Sequence, residues 1–384
     1  MSSQKGANLA LNSRFILIWA GVIILAGLVV GVSIATIEAF TQNPTQPSIP
    51  PKASSASVAE GSQATATPEA PTSAPTQVIA TVTPPAVTEN PTSTPAPAMA
   101  CNWPPERVMI ISVDAMRPDA VRDYTYAPYM LELVKRAAVT WDAQTISPSI
   151  TLPGHLSMLS GYDSTTHQQI INQLWQTPEA KTDTVTILQR AEQANLVTAV
   201  FSGKRHLEYI LRAVELDKEY VNKKLQDPEM GSVVADYIRN NDFDLLFVNL
   251  ANVDEIGHDY EWMSEQYLRA VGRADDAIQM MITALEEKGW LESTLVILNS
   301  DHGGTGISHG DSTIPTNKTI PWIIFGPCVR QGYEIEQDVL VLDTAVMALF
   351  GLGIEIPADL DGGLVCEVFG SPVAEGCLAA QPAP

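Results

Sequence analysis

Positive charge is scarce. The 384 residues hold 22 Lys and Arg against 44 Asp and Glu, a net charge of −22. So acidic a chain repels nucleic-acid polymers and anionic lipid faces, which argues against DNA or RNA binding. A small phosphorylated substrate stays open, because bound cations can invert the field inside one cleft. The scarcity is uneven. Residues 1–100 have no Asp, three basic residues (Lys5, Arg14, Lys52) and four Glu (Glu38, Glu60, Glu69, Glu89). Residues 101–384 therefore carry 19 basic and 40 acidic side chains. Cysteine is also rare, with only Cys101, Cys328, Cys366 and Cys377, and their spacing does not suggest a metal site. Histidine numbers six, so where it clusters carries weight.

Phe15 to Ile37 is a 23-residue run without a charge, long enough to span a bilayer as a helix. Lys5 and Arg14 precede it and Glu38 follows. The positive-inside rule then puts residues 1–14 in the cytoplasm and everything after the run outside. A cleaved signal peptide, cut near Ala35–Ala39, is the alternative, although such peptides usually have a shorter apolar core. Residues 38–100, from position 41 mostly Pro, Thr, Ser, Ala and Gln with twelve prolines, bury too little apolar surface to fold. They predict a disordered stalk stiffened toward polyproline II. The expected protein is thus single-pass in the cell membrane, with residues 101–384 as one extracytoplasmic domain. Disulfides persist on that side. Of the three possible pairings, Cys366 with Cys377 would close a short C-terminal loop and Cys101 with Cys328 would tie the first strand's approach to the end of a late strand.

Within 101–384, buried strands are expected at Val108–Val113, Val197–Phe201, Leu245–Leu250, Leu295–Leu298 and Ile320–Pro327. Helices are expected at 128–138, 183–194, 230–239, 264–288 and 343–352. This alternation predicts an α/β fold, a mostly parallel central sheet with helices on both faces.

The chemistry gathers where strands end. Asn299-Ser300-Asp301-His302-Gly303-Gly304-Thr305-Gly306-Ile307-Ser308-His309-Gly310 packs three metal-capable side chains into nine residues of a glycine-rich loop. Asp114 ends the first strand, and Asp254 and His258 follow another, four residues apart, where one helical turn can aim both at one cation. In an open α/β sheet these ends converge on one edge. Thr151 sits just before the N-terminus of a helix that carries Pro153 in its first turn, where the dipole favours an anion. Such a Thr is either a cap or a nucleophile. The seven ligands divide into Asp114, Thr151, Asp301 and His302 for one divalent ion and Asp254, His258 and His309 for a second. Mixed His and Asp ligation points to zinc.

This set resembles the alkaline phosphatase superfamily, most closely its type I phosphodiesterase/nucleotide pyrophosphatase branch. The matching pieces are Val113-Asp114, Thr151-Leu152-Pro153-Gly154-His155, Asp254-Glu255-Ile256-Gly257-His258, Ser300-Asp301-His302-Gly303 and His309-Gly310. The resemblance implies an alkaline-phosphatase-like fold and Thr151 as a nucleophile that becomes phospho-threonine, which water activated by the second metal then hydrolyses. It also implies that Asn172, about twenty residues past the nucleophile, binds a phosphoryl oxygen.

Two departures bear on substrate. His309 follows His302 by seven residues, whereas the nucleotide pyrophosphatases place the last His much later. Lys204, after the strand run at Val197–Phe201, matches a substrate-binding Lys of superfamily members that favour monoesters or phosphonates, since a dianion offers such a Lys more charge to neutralise. The reading is therefore a two-metal hydrolase of small phosphate esters, of phosphodiesterase or pyrophosphatase type. A phosphomonoesterase or phosphonate hydrolase, an envelope phospho-head-group transferase and a stalked surface-binding module are the alternatives.

Overall fold

A computed structural model describes residues 101–168, 177 and 179–381. The uncharged run at 15–37, the Pro-rich segment up to residue 100 and Asn172 lie outside these residues. Among the described residues no helix is long and apolar enough to cross a membrane.

One sheet organises the domain. Its strands are β1 (Arg107–Val113), β2 (Ala138–Gln144), β3 (Thr198–Ser202), β4 (Lys218–Val221), β5 (Leu245–Leu250), β6 (Thr294–Asn299), β7 (Thr319–Phe325) and β8 (Tyr333–Glu334), in the order β4-β3-β5-β1-β6-β7-β2-β8. The main helices are α1 (Pro128–Val134), α2 (Thr151–Ser160), α3 (Ile187–Gln193), α4 (Asp227–Asn240), α5 (Asn252–Tyr260), α6 (Glu265–Glu287) and α7 (Asp343–Leu352). Strands β4, β3, β5, β1 and β6 run parallel to one another. The sheet is mixed because β7 is antiparallel to both β6 and β2.

The central strands are apolar throughout because both their faces are covered. In β1, Val108 and Ile110 pack with Leu152, Leu156, Leu188 and Val346 from α2, α3 and α7. The alternate residues Met109, Ile111 and Val113 pack with Met130, Val234, Ala274 and Ile278 from α1, α4 and α6. Helix α6 starts on Ser264, whose hydroxyl accepts the Tyr267 N–H. Both disulfides, Cys101–Cys328 and Cys366–Cys377, are formed.

The structure shortens two of the expected helices, the one over 183–194 starting only at Ile187, and adds the strands β2, β4 and β8. The helix expected over 128–138 ends at Val134, and Ala138 already belongs to β2. The pairing of β2 with β7 shifts register between Thr140 and Ala143, opposite Pro321. Pro321 has no N–H to donate, and a bulge in β2 absorbs the missing bond.

Candidate metal centre

The four parallel strands β3, β5, β1 and β6 deliver their carboxyl ends to one edge of the sheet. Lys204 follows β3, Asp254 lies in the first turn of α5 after β5, Asp114 follows β1, and Asp301-His302 follow β6. Thr151 is the first residue of α2, with Pro153 in the first turn. Gly154 lets that turn approach the loop after β6, since a Cβ there would stand 2.8 Å from the Asp301 carbonyl.

Asp114, Asp301 and His302 form the first group, fully buried, with ligand-type atoms all within 4.8 Å of one another. His302 Nε2 is 3.8 Å from Asp114 Oδ1, 3.3 Å from Asp301 Oδ2 and 3.3 Å from the Thr151 hydroxyl. Asp301 Oδ1 accepts the Ala115 N–H at 3.0 Å. Ala115 has a φ of 60°, a left-handed conformation that turns its N–H toward Asp301. Its carbonyl accepts from the Tyr267 hydroxyl at 2.9 Å and the Trp262 indole N–H at 3.2 Å.

Asp254, His258 and His309 form the second group. Asp254 Oδ1 is 3.5 Å from His258 Nε2 and 3.7 Å from His309 Nε2. Trp262 lies beneath both imidazoles, with centroids 5.0 and 5.9 Å away. Gly257 and Gly304 flank it, and a Cβ on either would overlap the indole.

Two features fit these groups to cations. Asp114 Oδ1, Asp254 Oδ1 and Asp301 Oδ2 are buried and accept no hydrogen bond. Such a carboxylate oxygen is costly unless a positive charge faces it. The three imidazoles are also set for ligation. The Nδ1–H of His302 donates to the Gly303 carbonyl at 2.8 Å, that of His309 to Ser149 at 2.7 Å and that of His258 to Ile307 at 2.9 Å. Each bond leaves the Nε2 lone pair aimed at a carboxylate, the arrangement that backbone carbonyls impose on metal-binding His.

The electrostatics agree with that division. Burial, then Asp301, pushes Asp114 up to about 7. Burial works to raise Asp301 too, but His302, His155 and the Ala115 N–H hold it below the carboxylate range. Asp254 is likewise lowered, with Lys204 foremost among the charges that overcome its burial. Burial and His302 bring His309 down to about 4, so at neutral pH it is the uncharged, ligating form.

The Lys204 ammonium donates to Asp254 Oδ2 at 2.6 Å. A cavity of about 430 Å³ opens over this end of the site, lined by Thr151, Lys204, His206, Asp254, Glu255, His258, Asp259 and His309. A slightly larger hollow of about 480 Å³, beside Arg117, Arg122 and Trp141, contains none of the metal-capable groups.

All seven expected ligand positions thus stand in two adjoining groups, with Lys204 beside the second, and Asn172 lies outside the described residues. Sequence reading passed over Ala115, Ser149 and Trp262. Gly257 and Gly304, each in a motif already singled out, were the trace that Trp262 left.

Comparison with known proteins gives the following. The family profile described as Type I phosphodiesterase / nucleotide pyrophosphatase matches residues 108–324. GPI ethanolamine phosphate transferase 1 of Candida glabrata is 22% identical over 310 residues, 68% of this chain and 33% of that protein. Its Saccharomyces cerevisiae counterpart is 24% identical over 263 residues, 61% of this chain and 28% of that protein. The chain spans about a third of the length of these curated relatives. Murine ectonucleotide pyrophosphatase / phosphodiesterase 5, solved in complex with AMP, superposes with a TM-score of 0.59 at 11% identity, covering 69% of this chain and 100% of that one. A 2-O GAG sulfatase, BT1596, superposes with a TM-score of 0.56 at 13% identity, covering 69% of this chain and 74% of its own. At such identities the superpositions speak for the fold alone: α/β and alkaline-phosphatase-like.

Proposed function

The chain belongs to the type I phosphodiesterase/nucleotide pyrophosphatase family, and from that premise we propose that residues 101–384 are a two-metal hydrolase of phosphate esters with Thr151 as nucleophile. The observation that carries the reading is the set of three buried carboxylate oxygens without a hydrogen bond, on Asp114, Asp254 and Asp301, arranged around the Thr151 hydroxyl and three oriented imidazoles. Asp114, Thr151, Asp301 and His302 would hold one divalent ion, and Asp254, His258 and His309 the other. Zinc suits this donor set. Bound there, the pair would supply positive charge to the phosphoryl oxygens and lower the pKa of the attacking hydroxyl.

The chain's own residues account for the rest. The start of α2 presents Thr151 to the cavity, where the helix dipole favours an anion. Thr151 Oγ forms a bond to phosphorus, the ester's alcohol leaves, and a phospho-threonine remains. A second acceptor then takes the phosphoryl group and frees Thr151. Lys204, held by Asp254, stands beside this space to meet a non-bridging oxygen, and Asn172 is assigned the same task from its motif.

The second acceptor separates two readings. Water makes the protein a hydrolase, with diesters or pyrophosphates preferred. An alcohol makes it a transferase, a reading favoured by the curated relatives, which are named ethanolamine phosphate transferases. The apolar run at 15–37 and the Pro-rich segment after it would tether the domain outside the membrane.

The test uses the purified full chain, a chromogenic phosphodiester and the matching monoester, with zinc or with a chelator, and Thr151→Ala beside wild type. Zinc-dependent diester cleavage that falls by roughly 10³-fold or more in the variant is expected. Equal rates in the two proteins would overturn the nucleophile assignment. Adding an amino alcohol and analysing the products separates transfer from hydrolysis.

A further inference from the structure

The apolar pattern of the parallel strands breaks at one level. Ser202 of β3, Asn249 of β5, Ser112 of β1 and Asn299 of β6 stand side by side, in register, across the sheet. All four are fully buried. They continue the alternation of Val200, Phe247, Ile110 and Ile297, so they lie on the face that α2 covers. Asp114 and Asp301 come two residues after Ser112 and Asn299, which puts this polar row beneath the first ligand group. On α2 it meets His155, which is also fully buried.

Stability does not ask for such a row. Apolar side chains of suitable shape would fill the level and leave no polar group to satisfy. The bonds converge on Asn249. Its Nδ2 is 3.3 Å from Asp114 Oδ2 and 3.3 Å from His155 Nε2, and its Oδ1 meets the Ser202 hydroxyl at 3.1 Å. His155 Nδ1 lies 2.8 Å from the Thr151 carbonyl, which can only accept, so Nδ1 carries the proton and Nε2 is the acceptor. Two acceptors at one end of the Asn249 amide fix that end as the NH2 group, and both its hydrogens and its oxygen are engaged. Ser112 Oγ, 3.0 Å from Nε2, steadies the imidazole from β1.

The first ligand group touches this frame at three points. Asn249 holds Asp114 Oδ2 and leaves Oδ1, which has no hydrogen bond, free to face a cation. His155 holds the Thr151 carbonyl, and its Nδ1 is 3.3 Å from Asp301 Oδ2. Among the described residues neither the Asn249 nor the His155 side chain bonds to Asp254, His258 or His309 of the second group.

We propose that Asn249 is a positioning residue for the first ligand group, acting on Asp114 directly and on Thr151 through His155. This rests on the two-metal reading of the site. With the amide in place, the Asp114 carboxylate is turned so that one oxygen is tied and the other is offered, and the first turn of α2 keeps the Thr151 hydroxyl beside His302. Without it the carboxylate can rotate, and the imidazole under Thr151 loses one of its two donors.

The test is a zinc titration of the chelator-stripped full chain with two binding steps resolved, for wild type and Asn249→Leu. Leucine keeps the branching at Cγ and deletes the hydrogen bonds. Asp301→Ala, titrated beside them, identifies the step that belongs to the first group. That step is expected to weaken by about 10- to 100-fold in Asn249→Leu while the other stays unchanged. A merely structural role would shift both steps alike or neither, and either result overturns the proposal. Ser202→Ala, which removes only the hydroxyl beside Oδ1, carries the test if the leucine variant fails to fold. A smaller loss at the same step is expected. No loss, or a loss at the step nearer Lys204, whose N–H this hydroxyl also accepts at 3.0 Å, overturns the assignment.

Turnover keeps the two readings apart. With zinc saturating, kcat of Asn249→Leu for the diester should stay about tenfold low with KM little changed, because Thr151 has lost part of its frame. A wild type that turns over no ester, yet loses only the first zinc step on substitution, retires the reaction and leaves the positioning role standing. A wild type that cleaves the diester, beside an Asn249→Leu variant with both zinc steps and kcat intact, retires the positioning role and leaves the reaction.

Discussion

The imidazoles of His302 and His309 stack with centroids 3.8 Å apart and planes 10° from parallel. They come from one loop, yet each faces a different carboxylate, Asp301 for His302 and Asp254 for His309. The seven-residue spacing brings the two ligand groups side by side. A single segment, 301–309, thereby sets how far apart two cations would sit.

Asp301→Ala removes the carboxylate that stands against His302 and accepts the Ala115 N–H. The expected outcome is loss of one metal ion per chain and of activity, read by elemental analysis beside the diester assay. Full metal content with full activity would refute the first ligand group.

Trp262→Phe keeps a ring between Gly257 and Gly304 but deletes the N–H that reaches the Ala115 carbonyl. Partners that orient ligands from behind typically affect metal affinity by about 10- to 100-fold. A zinc titration resolving two sites should show the weaker binding at the group containing Asp301, whose Oδ1 takes the Ala115 N–H. Two unchanged affinities would leave Trp262 with packing alone.

Lys204→Ala should lower kcat/KM for a monoester more than for the matching diester, because the dianion depends more on a fixed cation. The variant also leaves Asp254 Oδ2 without its 2.6 Å donor, which affects both substrates. The ratio of the two losses is therefore the informative quantity, and a ratio of one would remove Lys204 from substrate recognition.

Stability without metal should depend on pH through Asp227. Its Oδ1 accepts the N–H groups of Ala251 at 3.0 Å and Asn252 at 3.2 Å, while Oδ2 is buried with no hydrogen bond. Burial pushes this carboxyl up to about 7 against those two bonds. The folded pKa lies above the unfolded value of about 4, so folding favours the protonated form. The contribution is complete below about pH 4 and is lost as pH rises through 7, on the order of a few kcal/mol. Asp343 and Asp275, each raised by burial to about 6, act in the same direction. Chelator-treated protein should melt at a lower temperature at pH 8 than at pH 5, and Asp227→Asn should flatten that slope. An identical slope in the variant would show that Asp227 does not govern it.

Much of this was legible because buried parallel strands write themselves as unbroken apolar runs. β1, β5 and β6 could be found that way, and the polar residues that stop each run, Asp114, Asn252 to Asp254 and Asp301, mark the sheet edge where chemistry collects. β2 was not legible. Its bulge at Trp141 and Asp142 breaks the alternation, and the cause, Pro321, is 180 residues away in sequence. The antiparallel turn of β7 escaped for a similar reason, since an apolar strand buried on both faces carries no mark of its direction. Ala115 shows the limit most clearly. An alanine gives no hint of a left-handed φ, which here is imposed by Asp301, Trp262 and Tyr267 from distant parts of the chain.

The Cys101–Cys328 bridge also has a mechanical meaning. Cys101 precedes β1, and Cys328 follows β7. Tension arriving along the chain from residues 1–100 divides at the sulfurs. One share runs into β1, the strand that delivers Asp114, and the other crosses directly to the segment behind β7. The bridge works as a strain relief, like the clamp where a cable enters a housing, and a tug from the amino-terminal side reaches the ligand at the end of β1 attenuated.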